Sequence, residues 1–172
     1  MNDFFAGLDV STQGQKIVVI DLQKNSVIYS DSINYDLDLP KYSTLNGVIR
    51  DTETGVSESN PKMWIDALHL IFERLKTSSD IIQSIKAISI AGQQHGLVAI
   101  DIDGNLAKPT SKLWNDFSTL EECEILTKEI GGFEQMIHSV ANSQRTGYTA
   151  SKIFHMYRNE KELYEKTDYF LL

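Results

Sequence analysis

Three strand-like segments follow one another at the start of the chain, joined by turns only a few residues long. Phe4 to Val10 is short and apolar, Lys16 to Leu22 is β-branched, and Val27 to Tyr35 alternates. The turns are Ser-Thr-Gln-Gly at 11–14 and Gln-Lys-Asn-Ser at 23–26. Turns this short cannot return a chain to a parallel neighbour, so the three segments must pair as an antiparallel meander. After them, helical patterns alternate with strand patterns. An antiparallel start followed by that alternation implies an α/β domain with a mixed sheet flanked by helices.

Downstream, Asp36 to Ser59 is polar, contains Pro40, Gly47 and Gly55, and has no sustained period. It reads as a long surface excursion, a kind of loop that is uncommon in compact domains and often functional. Asn60-Pro61 supplies an N-cap and a first-turn proline. Trp64, Ala67, Leu68, Ile71, Phe72 and Leu75 then recur at helical spacing. Ile85 to Ala91 reads as a buried strand and Leu97 to Ile102 as another, turned at Asp103-Gly104. Ser118-Thr-Leu-Glu121 matches a capping box opening a helix to about Ile130. Gly131-Gly132 breaks it, Phe133 to Val140 forms another, and Thr149 to Asn159 is a third with Ile153, Phe154 and Tyr157 inward. The apolar run Asp168 to Leu172 closes the sequence. A bare apolar strand there is the pattern expected of a truncated domain.

The formal net charge of −8 over 172 residues disfavours a nucleic-acid surface, which needs clustered Lys and Arg. It leaves room for a nucleotide, whose charge magnesium and backbone N–H groups can meet. No apolar run is long enough to span a bilayer, and Met-Asn-Asp-Phe-Phe lacks the features of a secretory signal. These features set a cytoplasmic, non-membrane protein as the expectation. The single cysteine, Cys123, sits in a polar pattern without a histidine partner and reads as structural.

Four segments carry candidate chemistry. Gly7-Leu-Asp9-Val-Ser11-Thr12-Gln13-Gly14 places a carboxylate at a strand end before a hydroxyl-rich turn. Such a turn can donate to phosphate oxygens, and Asp9 can hold hydrated magnesium. An ordinary hairpin with a polar tip has the same pattern, and neither a P-loop nor a dinucleotide fingerprint occurs. Gly92-Gln93-Gln94-His95-Gly96 puts polar side chains between two glycines at a strand end, where α/β sheets place ligands. Their donors and acceptors suit a polyhydroxylated ligand; a loop that satisfies its own hydrogen bonds is the alternative. Trp114-Asn115-Asp116 offers an aromatic face, an amide and a carboxylate, or else a core tryptophan followed by a helix-entry aspartate. Arg145, before the Gly147 loop, can reach a ligand or lie on the surface.

Taken in order, Gly7-Leu-Asp-Val-Ser-Thr-Gln13, Ile90-Ala-Gly-Gln-Gln-His-Gly96, Leu113-Trp-Asn-Asp116 and Thr146-Gly-Tyr-Thr-Ala-Ser-Lys152 resemble the FGGY family of carbohydrate kinases. Tyr35 to Tyr42 with Gly47-Val48 resembles the longer excursion of its eukaryotic members. The resemblance implies an actin-like, ribonuclease-H-type fold, with residues 1–172 an N-terminal domain incomplete at its C-terminus. It implies ATP and Mg2+ as cofactors and a ketopentose, D-xylulose, as acceptor. Asp9, Ser11, Thr12 and Gln13 would form the phosphate hairpin, with Asp9 holding magnesium through water. Gln94, His95, Trp114, Asn115, Asp116 and Arg145 would line the sugar site, with Gln144 the alternative to Arg145. The general-base aspartate and the ATP-binding domain are expected beyond Leu172, which leaves this stretch without a catalytic base and inactive alone. A homodimer of the longer enzyme is left open. So are another acceptor (ribulose, gluconate or glycerol) and a non-enzymatic actin-like sugar sensor.

Overall fold

The computed structural model describes residues 3–78 and 80–172, and the nine strands among these described residues fall into two compact units. One unit takes Met1–Val48 and Asn60–Gln93, the other Ile49–Ser59 and Gln94–Leu172.

In the first unit, β1 (Phe4–Val10), β2 (Gly14–Asp21) and β3 (Ser26–Asn34) form the expected meander. β6 (Ile85–Gly92) joins in parallel beside β1, giving a mixed sheet in the order β3-β2-β1-β6. Alternation sends Phe4, Ala6 and Leu8 of β1, Ile17 and Val19 of β2 and Ile33 of β3 into one core. There they meet Met63, Ala67, Ile71 and Leu75 of helix α2 (Pro61–Ser78). Each such fully buried aliphatic side chain contributes about 1.5–3 kcal/mol. Asn60 caps α2 as its sequence suggests, its side-chain oxygen accepting the Lys62 N–H at 2.9 Å.

β6 is the edge strand, and its residues from Lys86 to Gly92 are all exposed, Ile90 at 66%. The expectation of a buried strand is corrected here. An apolar β-branched run satisfies the period of a buried strand whether or not anything covers it.

The excursion between β3 and α2 is more ordered than its composition suggests. It holds α1 (Tyr35–Asp38), a 3-10 turn at Pro40–Tyr42, and the short strands β4 (Ile49–Asp51) and β5 (Val56–Ser59). Asp36 organises it, accepting from Thr44 Oγ1 at 2.7 Å, the Asn46 N–H at 2.6 Å and the Gly47 N–H at 3.0 Å.

The second unit contains the sheet β4-β5-β8, with β8 at Ser111–Lys112, and the pair β7 (Val98–Ile100) with β9 (Tyr169–Leu171). The closing apolar run is therefore paired rather than bare, Ala99 lying opposite Phe170. Helices α3 (Leu120–Glu129), α4 (Phe133–Val140), α5 (Thr149–Asn159) and α6 (Lys161–Glu165) follow. Buried Glu122 of α3 accepts from Arg158 Nη1 at 2.9 Å and Asn159 Nδ2 at 3.1 Å of α5. Cys123 is buried and free, and burial pushes its thiol up.

Two local expectations fail for a shared reason. The capping box does not form: Thr119 occupies the N-cap without a side-chain cap bond. Its hydroxyl donates instead to the Thr146 carbonyl at 3.1 Å, and Ser118 Oγ donates to Asp116 at 2.6 Å. On α5 the fully buried residues are Ser151, Lys152 and Met156; of the three expected inward, Ile153 and Phe154 are half-buried and Tyr157 is exposed. In both places tertiary polar partners outweigh the local pattern.

Candidate functional site

The hairpin joining β1 and β2 ends the first unit's sheet on a set of oxygens. Asp9 is exposed and lies between Lys16 on β2 and Ala91 on β6, and its carboxylate accepts no hydrogen bond among the described residues. Ser11 closes the turn, its N–H and its hydroxyl both donating to the Gly14 carbonyl, at 3.0 and 3.1 Å. Thr12 Oγ1 donates to Gln93 Oε1 at 3.2 Å, and the Gln93 N–H donates to the Val10 carbonyl at 3.1 Å. The end of β6 thus braces the hairpin. Gln13 is exposed and anchors through its carbonyl, which accepts the Tyr35 N–H at 3.1 Å. Tyr35 lies beneath, its hydroxyl donating to the Ser11 carbonyl at 3.3 Å. Burial pushes that phenol up to about 12; Asp9 adds to the rise, and a bond with Gln15 opposes it. The excursion presses on the tip from Gly47, where φ is +75° and a Cβ would sit 2.0 Å from the Thr12 carbonyl oxygen.

In the second unit the other candidates converge through backbone contacts. His95 adopts a left-handed φ of 60°, which a histidine holds only when its surroundings over-determine it. Its ring lies 4.8 Å from that of Tyr148, tilted by 35°. Gln94 beside it is exposed. Trp114 is 51% exposed. Its carbonyl backs onto Gly147, where a Cβ would lie 2.2 Å from that oxygen. Asn115 is half-buried, its Oδ1 accepting from Ser57 Oγ at 2.8 Å, which leaves its amide N–H groups to donate elsewhere.

Asp116 differs from the rest. It is fully buried, with Oδ2 accepting the Ser57 N–H at 2.8 Å and Oδ1 accepting the Ser118 N–H at 3.1 Å. Lys112 Nζ stands 3.4 Å from Oδ2. Both oxygens are committed within the protein. Arg145 is exposed, and its guanidinium has no partner among the described residues. Its neighbour Gln144 keeps a buried Oε1 that no donor satisfies among those residues.

Two contributors were not singled out from the sequence. Ser57 lies in the excursion, where nothing local marks it. Lys152 is fully buried, its ammonium donating to the His95 carbonyl and, at 2.8 Å, to the Gly147 carbonyl. A lysine in the first turn of a helix, at the wrong end of the macrodipole, was the available signal.

The model of the FGGY family of carbohydrate kinases, N-terminal domain, matches residues 4–172. The xylulose kinase of Schizosaccharomyces pombe is 38% identical over 183 residues, covering 95% of this chain and 32% of that protein. The xylulose kinase of Rattus norvegicus is 29% identical over 181 residues, covering 94% of this chain and 34% of that protein. A crystal structure described as a xyloylose kinase from Brucella ovis superposes with a TM-score of 0.81 at 25% identity, covering 98% of this chain and 32% of that one. The chain spans about a third of the length of these relatives. The actin-like fold expected from the motifs is borne out, a mixed sheet flanked by helices. Among the described residues no helix is long and apolar enough to cross a membrane. With a family model covering nearly its whole length, the chain belongs to the FGGY family of carbohydrate kinases and carries that family's N-terminal domain.

Proposed function

We propose that this chain is the N-terminal, sugar-binding part of an ATP-dependent D-xylulose kinase. The observation that carries this reading is the similarity to two xylulose kinases over 94–95% of the chain. The polar segments support it, because each offers groups suited to its part of the reaction. The half-exposed Trp114 indole suits the C–H surface of a sugar. The His95 ring, the Asn115 amide and the Arg145 guanidinium suit its oxygens, with Gln94 at the rim. Gln144 Oε1 is an acceptor that a sugar hydroxyl would satisfy. Asp116 supports the site by tying the chain just after Asn115 to the Ser57 backbone.

On the nucleotide side, the exposed Gln13 side chain and the hydroxyls of Ser11 and Thr12 would meet phosphate oxygens, the two hydroxyls exchanging their bonds to the Gly14 carbonyl and Gln93 Oε1 for bonds to phosphate. The uncommitted carboxylate of Asp9 fits hydrated Mg2+, which favours carboxylates and retains waters. When bound, that ion would neutralise phosphate charge.

In the transfer, the 5-hydroxyl oxygen of the ketose bonds to the γ-phosphorus as the bond from that phosphorus to the β-phosphate oxygen breaks, releasing ADP. The hydroxyl proton passes to a carboxylate. We assign that base, and the adenosine site, to a segment and a second domain following Leu172. In this assignment residues 1–172 orient the sugar and cradle phosphate, and the positioning they supply is a large part of phosphoryl-transfer catalysis.

A sugar-dependent ADP-release assay on the full-length protein, with D-xylulose, D-ribulose, D-gluconate and glycerol, tests the reading. D-Xylulose should give the highest kcat/KM, and the 172-residue chain alone should give no turnover. Preference for another acceptor would reassign the substrate. Sugar binding by calorimetry without any ADP release would favour the sensor.

A further inference from the structure

The geometry points to Lys152 as a positioning residue of the candidate sugar site, tying the His95 turn and the Gly147 loop to one buried ammonium. The inference rests on the reading of these segments as sugar-binding.

Stability alone does not explain a lysine here. The side chain is 0% exposed, and a buried ammonium is costly unless paired and hydrogen-bonded. It stands in the first turn of α5, where the helix dipole disfavours a cation. Lys112, a second cation, adds repulsion, and Asp116 offsets part of it. A methionine or leucine would fill the volume without these costs.

What the ammonium secures is specific. One bond goes to the carbonyl of His95, the residue held at a left-handed φ of 60°. The other goes to the carbonyl of Gly147, the residue packed against the Trp114 carbonyl. Tyr148, next in the loop, meets the His95 ring, and its N–H donates to the Arg145 carbonyl at 2.9 Å. One side chain therefore fixes the backbones that aim His95 and Arg145 and that back onto Trp114.

Lys152 does not itself serve as a ligand. The cavity it lines with Leu97, Ala99 and Met156 is about 10 Å3, room for one water at most. Its role is exerted through the two carbonyls.

The test uses the full-length protein carrying Lys152→Met or Lys152→Arg. Loss of a mutual orientation worth a few hydrogen bonds should raise the sugar KM by about tenfold or more, with the ATP KM changed less than about twofold. A sugar KM unchanged in Lys152→Met, with only kcat or the folded fraction reduced, would overturn the assignment. Should Lys152→Met fail to fold, Lys152→Arg keeps the donors but is too long for the site. It should show the same selective rise, and an unchanged sugar KM there overturns the assignment equally. Hydrogen exchange decides the positioning role without reference to activity. Amides of residues 93–96 and 145–148 should exchange faster in the variant while those of β1 and β2 stay protected, and unchanged exchange contradicts it. An unsubstituted protein that phosphorylates no sugar refutes the functional reading alone.

Discussion

Asp116 Oδ2 accepts the backbone N–H of Ser57 at 2.8 Å, which pins the β4–β5 excursion to the segment that carries Trp114 and Asn115. The same carboxylate accepts the N–H and hydroxyl of Ser118, so a single buried side chain ties the backbone just after Asn115 to the excursion. Replacing it by alanine leaves those N–H groups without their acceptor and takes the nearest carboxylate from buried Lys112, which keeps Ser118 Oγ at 2.6 Å and Glu58 at 3.6 Å. Asp116→Ala should therefore cost about 3 kcal/mol in denaturant unfolding, within the range for breaking a buried charged pair. A variant of unchanged stability that had lost only sugar affinity would show that the carboxylate faces the ligand instead.

Arg145 offers the opposite case. Its exposed guanidinium has no partner among the described residues, so Arg145→Ala should leave stability within about 0.5 kcal/mol. The sugar KM should nevertheless rise. If Gln144→Ala raises it and Arg145→Ala does not, the sugar contact belongs to the buried Gln144 Oε1.

At Gly47 the expected effect lies on the phosphate hairpin. A methyl group there meets the Thr12 carbonyl at 2.0 Å, at a φ of +75° that side chains resist. Gly47→Ala should destabilise by about 1–3 kcal/mol and displace the tip bearing Ser11 and Thr12, raising the ATP KM before the sugar KM. Both can be read from thermal unfolding and steady-state kinetics. Equal effects on the two substrates would argue against a phosphate role for the hairpin.

Lys152 gives a pH signature. Burial lowers its pKa from 10.5 to about 8, with Lys112 acting in the same direction and Asp116 opposing. Below about 8 both folded and unfolded chains hold the proton, and its burial penalty is constant. Between about 8 and 10.5 the unfolded chain binds more protons, so stability gains up to about 1.4 kcal/mol per pH unit from this group. The difference in unfolding free energy between the unsubstituted protein and Lys152→Met should rise across that window and flatten on either side. A flat difference throughout would mean that the lysine titrates normally.

Much of the first unit was legible because its signals are local. Short turns force β1, β2 and β3 to pair antiparallel, and Asn60-Pro61 with the spacing from Trp64 to Leu75 specifies α2. The second unit was less so. Ser118 and Thr119 match a cap because the pattern is sequential, but the Ser118 hydroxyl is drawn to Asp116 two residues back, and that of Thr119 to Thr146 and Ser151, which only the tertiary fold brings near. The spacing of α5 points Ile153, Phe154 and Tyr157 inward, whereas Lys152 is the buried residue there because the His95 and Gly147 carbonyls accept its ammonium. Asp116 could be named as important from its motif, but its commitment to Ser57 depends on where the excursion folds. The exposure of β6 has the same character, since covering is a property of neighbours and not of the strand.

Phosphorylation of D-xylulose by the full-length protein is the measurement on which all of this turns. With ATP and Mg2+, we expect ADP release that depends on D-xylulose, with D-xylulose 5-phosphate as the product, and loss of that release on substitution of His95 or Asp9. No sugar-dependent ADP release with any of the acceptors would contradict the assignment.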